Sequence, residues 1–194
     1  MSRSIARSAF ISIARSALIA IMLLGIAALS FSQEKALATG EQKAVVDGTI
    51  KPGEYGFTQD FGQVTLCLNR TADTLYIAVV GNTAGWVAVG LGSLRMDQSK
   101  IFMGFVGSDG KVQFAPQIGS DHTHQDALAA VAATVISSSM KEAAGKTILE
   151  MALKADMYVK KGQGSLELCF AIGRQDSFLA MHAYRNSVSV KLAS

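Results

Sequence analysis

Gly85-Trp86-Val87-Ala88-Val89-Gly90-Leu91-Gly92 is the stretch whose reading decides the fold of this chain. Trp86–Leu91 is apolar on both parities, the pattern of a central strand covered on both faces. Gly90-Leu91-Gly92 closes it at a strand end and is too short to read as a nucleotide-binding fingerprint. Outward from this run the chain keeps the same habit. Short β-branched or aromatic segments follow at Val45–Ile50, Val64–Leu68, Leu75–Val80, Ile101–Val106, Lys111–Ala115, Val131–Ser137, Thr147–Leu153, Leu166–Ile172 and Ser187–Leu192. Turn residues separate them: Asn69–Asp73, Gly81-Asn82, Ser108-Asp109-Gly110 and Lys161–Gly164. Regular strands with short turns predict an all-β, antiparallel, immunoglobulin-like β-sandwich. An Ala-rich stretch, Gln125–Ala133, is the one helical candidate. Alternation assigns faces in two strands. Leu149, Met151 and Leu153 share one face with Glu150 opposite, and Val188, Val190 and Leu192 point inward while Ser189 and Lys191 face water.

The chain has 194 residues, enough for one domain and a leader. Arg3, Arg7 and Arg15 precede a 15-residue apolar run, Ala17–Phe31, which is shorter than the ~20 residues a membrane-spanning helix needs. The reading is a secretory signal peptide over residues 1–38, with cleavage near Ser32 or Ala38 and a mature domain over 39–194. The expected location is periplasmic or secreted, with no membrane span in the mature chain. The leader also carries the charge excess. The chain has 18 Lys and Arg against 15 Asp and Glu, and residues beyond 38 hold 14 of each. A neutral domain gives no support to nucleic-acid binding. Cys67 and Cys169 each lie in an apolar strand-like run, and either a disulfide or two buried thiols suits an exported domain.

Four residues after the opening run stands Met96, and near the C-terminus stands His182, inside Met181-His182-Ala183-Tyr184-Arg185-Asn186-Ser187. A thioether and an imidazole form the axial pair of many low-spin haems, and filling both positions favours electron transfer over oxygen chemistry. The Gly85–Gly92 run, Arg95–Val106 with its Met, Asp109–Val112, and the His182 segment together resemble the DOMON family of haem- and sugar-binding β-sandwich domains. Asn186 stands where that family more often has Gly. The resemblance covers nearly all of the mature chain and implies b-type haem held by Met96 and His182, without covalent attachment. Trp86, Phe102, Met103, Phe105, Phe178 and Met181 lie near these ligands in sequence and are expected to line the haem slot. The expected role is electron transfer rather than catalysis, with a redox protein or a membrane-bound electron-transfer component as partner. The alternative is a haem-free module for carbohydrate or another small ligand. His122 and His124, two apart near Asp121 and Asp126, read first as a polar loop and second as a metal site. No hydrolytic constellation stands out.

Overall fold

A computed structural model describes residues 36–127 and 129–193. The apolar leader and its Ser30–Ser32 cleavage candidate lie outside the described residues. Eleven strands are present among those described: β1 (Phe57–Asp60), β2 (Val64–Arg70), β3 (Thr74–Gly81), β4 (Val87–Leu91), β5 (Lys100–Val106), β6 (Val112–Ser120), β7 (Thr123–Asp126), β8 (Val135–Ala143), β9 (Lys146–Lys154), β10 (Ser165–Gly173) and β11 (His182–Lys191). They form two antiparallel sheets. One has the order β1-β2-β3-β9-β8, the other β11-β10-β4-β5-β6-β7. The predicted sandwich is therefore present, and β4 sits at the centre of the six-stranded sheet with every residue buried.

The core lies between the sheets. Leu66, Leu68 and Ile77 from one sheet meet Val87, Val89 and Leu168 from the other, all fully buried. Period-2 alternation puts these residues inside and sends their neighbours outward. Leu149, Met151 and Leu153 join the same core, and Val188, Val190 and Leu192 pack against it as expected. Phe102 also points inward. It stacks on Phe114, with centroids 6.4 Å apart, and meets Tyr158 edge-on. Its expected place in a haem slot is corrected: its parity puts it in the central core.

The outward faces of both sheets are covered as well. Ala44, Val46, Ile50 and Tyr55 cover Cys67, Tyr76, Ala78 and Ala152 on the five-stranded sheet. Val45–Ile50, expected to be a strand, is not one. Its backbone is drawn instead to Glu150, which is 0% exposed. Glu150 Oε2 accepts from the N–H groups of Asp47 (3.1 Å), Gly48 (2.6 Å) and Thr49 (3.1 Å), and Oε1 accepts from the Tyr55 hydroxyl (2.7 Å). Burial, reinforced by this carboxylate, pushes the Tyr55 hydroxyl well above its ordinary pKa. Gly48 serves the turn with φ of 78°, a conformation that favours glycine.

Three other expectations change. The helical candidate contracts to one turn, α1 (Ala129–Ala132), because Gln125 and Asp126 belong to β7 and Val135 opens β8. Two short strands, β1 and β7, had no apolar alternation to announce them. The domain also begins before residue 39. Leu37 is 1% exposed, donates its N–H to Lys191 O at 2.8 Å and bridges Leu192. Among the described residues no helix is long and apolar enough to cross a membrane.

Both cysteines are free thiols. Leu66 and Leu68 point into the core, so Cys67 between them faces out of the five-stranded sheet. Leu168 and Phe170 likewise turn Cys169 out of the six-stranded sheet. The thiols lie on opposite outer faces, with a core ~10 Å thick between the sheets, whereas a disulfide needs Cβ atoms ~4 Å apart. Burial pushes both thiols up in pKa. Titration of the unreduced, denatured protein should find two free thiols; finding neither would contradict this placement.

Candidate functional site

The outward face of the six-stranded sheet carries the candidate site. Register places its side chains in rows across the strands. One row is His182, Gly173, Trp86 and Phe105; the next is Arg185, Ala171, Ala88, Met103 and Ala115; the third is Ser187, Cys169, Gly90, Ile101, Gln117 and Asp126. Outer faces of antiparallel sheets are ordinarily polar, yet Trp86, Ala88, Ile101, Met103 and Phe105 form a second buried apolar cluster here. Met96, Phe178 and Ala180 close over it from two loops. Phe178 packs on Phe105 with ring centroids 4.9 Å apart. The floor is low where Gly173, Ala171, Ala88 and Gly90 lack bulk. A Cβ on Gly90 would lie 2.7 Å from both Cys169 Sγ and Ser99 Oγ.

At the Trp86 end, β11 begins with His182 opposite Gly173, where a bulge shifts the register. His182 is exposed, and its imidazole has no hydrogen-bond partner among the described residues. It lines a surface cavity of about 350 Å³ with Arg174, Gln175, Ala180, Met181 and Ala183. Leu179 and Met181 beside it are 94% and 83% exposed. Arg185 belongs to the same face through its pairing with Ala171. This end thus combines a free imidazole, apolar side chains and two guanidinium groups.

Met96 occupies the other end. Its carbonyl and Cγ stand over Gly119 of β6, with Cγ 3.2 Å from the place a Cβ would take. Gln98 N–H donates to Gly119 O at 3.0 Å, and Ser99 O accepts from Gly119 N–H at 3.0 Å. This level of the sheet is that of Glu167, whose carbonyl accepts from Gly92 N–H. From Glu167 to Gly173, β10 advances ~20 Å, and several strands at ~4.8 Å spacing add to the separation. The structure thus sets Met96 over Gly119 of β6 and His182 opposite Gly173 at the start of β11, at two ends of one outer face.

Met96 and His124 share Gly119 as a neighbour. Gly119 pairs with His124 in the β6–β7 hairpin, which puts the imidazole on the outer face beside the thioether. His122, exposed at the turn, lies 3.7 Å from Asp121, and its charge also acts on Asp97. The hairpin read as a polar loop is an edge strand with a turn. Four buried side-chain polar atoms lack a partner among the described residues, and three are on this outer face: Trp86 Nε1, Gln117 Oε1 and His124 Nδ1. Such atoms are rare in native interiors and call for an explanation such as a bound group or ordered water.

Arg185 and Gln117 escape a reading of the sequence alone, because what unites them is cross-strand register, and Arg174 joins them only through the cavity at the end of β10, whereas His124 was already a candidate beside His122. For Arg185 and Gln117, shared outward parity was the only available signal. Gly173 offers a direct check on the floor. A Cβ there would collide with Trp86 Nε1 and approach Cδ1 to 2.6 Å. Gly173→Ala should displace the indole and destabilise the domain by about 1–3 kcal/mol. Trp86 is the protein's single Trp, so its fluorescence maximum should shift; an unchanged maximum and melting temperature would refute this packing.

Comparisons with known proteins bear on the fold. No protein-family model matches the chain, and no curated protein matches it. Among solved structures it is similar to the cytochrome b domain of pyranose dehydrogenase from Coprinopsis cinerea, with TM-score 0.52 and 12% identity, over 70% of this chain and 80% of that one. The cytochrome domain of Myriococcum thermophilum cellobiose dehydrogenase gives TM-score 0.49 at 13% identity, over 71% and 81% of the two chains. A family 9 carbohydrate-binding module from Caldicellulosiruptor kristjanssonii, solved with glucose, gives TM-score 0.49 at 10% identity, over 81% and 95%. At these identities what is shared is the fold: this chain is a β-sandwich of the architecture seen in the pyranose dehydrogenase cytochrome b domain.

Proposed function

We propose that this protein is an exported, non-catalytic, DOMON-like electron-transfer module that binds haem b at the Trp86 end of the six-stranded sheet, through His182. The observation that carries the reading is the exposed imidazole of His182, without a hydrogen-bond partner among the described residues, at a surface cavity that it shares with Arg174, Gln175, Ala180 and Met181. The donor set fits the group. Trp86 Nε1 is a buried donor without a partner, Gly173 and Ala171 leave a low floor, and Arg174 and Arg185 suit the two carboxylates of haem. Phe178, Ala180 and Met181 supply the apolar contact that noncovalent retention requires. Haem exchanges one electron between its ferrous and ferric forms when bound. An edge flanked by exposed Leu179 and Met181 suits transfer to a docked redox protein or membrane-bound carrier. The fold shared with a cytochrome b domain agrees with this reading.

This proposal rests on His182 alone as the iron ligand and leaves Met96 on Gly119. Titrating haem into purified protein tests the proposal. One equivalent should give a saturable Soret band. Absence of uptake by folded protein would sink it and leave the carbohydrate or small-ligand module as the reading.

Export has its own test. Cleavage after Ala38 would remove Leu37 from the core, so of the two candidate sites we favour the one near Ser32. The intact mass of exported protein should correspond to a chain that keeps Leu37. A mature chain starting at residue 39, or one retaining Met1, would contradict that assignment.

A further inference from the structure

The far end of the same face holds donors that the haem reading does not use, and the inference drawn from them is independent of it. Met96 and His124 both stand over or beside Gly119. Directly opposed residues of an antiparallel pair have Cβ positions ~5 Å apart, and Met96 Cγ lies 3.2 Å from the Cβ position of Gly119. The thioether is therefore a near neighbour of the imidazole. His124 Nδ1 is buried without a partner. His122 lies two residues earlier in the hairpin, exposed, 3.7 Å from Asp121 and near enough to Asp97 for their charges to interact. The absence of a side chain at Gly119 is what lets the Met96 segment descend onto this edge.

The donor types select the ligand. Among the described residues no group of three or more His, Cys, Asp and Glu side chains is placed to hold a metal ion, so the patch does not offer the ligands of a structural zinc or a hard cation. What it offers is a soft thioether with imidazoles, a set that suits Cu(I). We infer that Met96 and His124, completed by His122, form a Cu(I)-binding site at the β6–β7 edge, separate from the His182 end.

The test uses the full mature chain in a Cys67→Ser/Cys169→Ser background, because both free thiols are themselves soft ligands. Cu(I) is titrated against a chromophoric Cu(I) chelator under anaerobic, reducing conditions. The expected result is one equivalent retained, with one sulfur and two nitrogen neighbours in the copper X-ray absorption spectrum. Met96→Leu keeps the apolar packing and should weaken Cu(I) binding at least tenfold, while Zn(II) affinity stays the same. His124→Ala should weaken it at least as much. Thermal unfolding without metal shows whether each variant is folded; for one that is not, wild-type X-ray absorption decides by the presence of sulfur. Retention that vanishes in the Cys-free background, a copper shell without sulfur, or folded Met96→Leu and His124→Ala proteins that bind like wild type would each overturn the inference.

Discussion

Replacing His182 with alanine should weaken haem binding at least ~100-fold, about 2.8 kcal/mol. No thioether linkage compensates, since neither cysteine lies near this end in a Cys-x-x-Cys arrangement. His182 is exposed at the first residue of β11, and its side chain holds no hydrogen bond among the described residues. The folded protein should therefore lose the haem and keep its melting temperature. Equilibrium titration followed at the Soret band measures the first quantity and circular dichroism the second. Met96→Leu provides the contrast and should leave the Soret titration as in wild type. The result that would defeat the assignment is unaltered haem affinity in His182→Ala. A Met96→Leu variant with a changed haem spectrum would show that the 92–99 segment leaves Gly119 when haem binds.

Glu150→Ala should be the most damaging single change to stability. It removes the acceptor of three backbone N–H groups and of the Tyr55 hydroxyl at a fully buried position. Leaving such donors unsatisfied costs ~1–3 kcal/mol each where water cannot reach them. Relaxation of the 47–49 loop lets some find solvent, so a net loss of about 3–5 kcal/mol is expected. For a domain of this size that corresponds to a fall of roughly 10 °C in melting temperature. Glu150→Gln retains one acceptor oxygen and should fall between alanine and wild type. Because Glu150 lies on the five-stranded sheet, haem uptake below the transition should be unchanged. An alanine variant melting within ~2 °C of wild type would show that the Glu150 clasp contributes nothing.

The haem and copper readings divide one outer face between two ends, and the reason is geometric. Arg174 and the exposed Leu179–Met181 segment gather at the mouth of β10 and β11. Soft and imidazole donors gather where the β4–β5 loop meets the β6–β7 hairpin. Between them lie the small-residue floor of Ala171, Ala88 and Gly90, the apolar Met103 and Ile101, and the Cys169 thiol.

Much of this architecture follows from the chain alone. Apolar residues on both parities in Trp86–Leu91 required a strand covered on both faces, and β4 is central and wholly buried. Strict alternation in Thr147–Leu153 and Ser187–Leu192 assigned their inward faces before any packing was known. These are properties of local period and need no partner. The tertiary structure decided what depends on partners. It turned Val45–Ile50 from a strand into a wrap, because Glu150 draws its N–H groups away from any ladder. It sent Phe102 into the core and put Cys67 and Cys169 on opposite faces. Above all it set both Met96 and His124 at Gly119, since cross-strand register sets which side chains become neighbours, and register is fixed by the packing of both sheets.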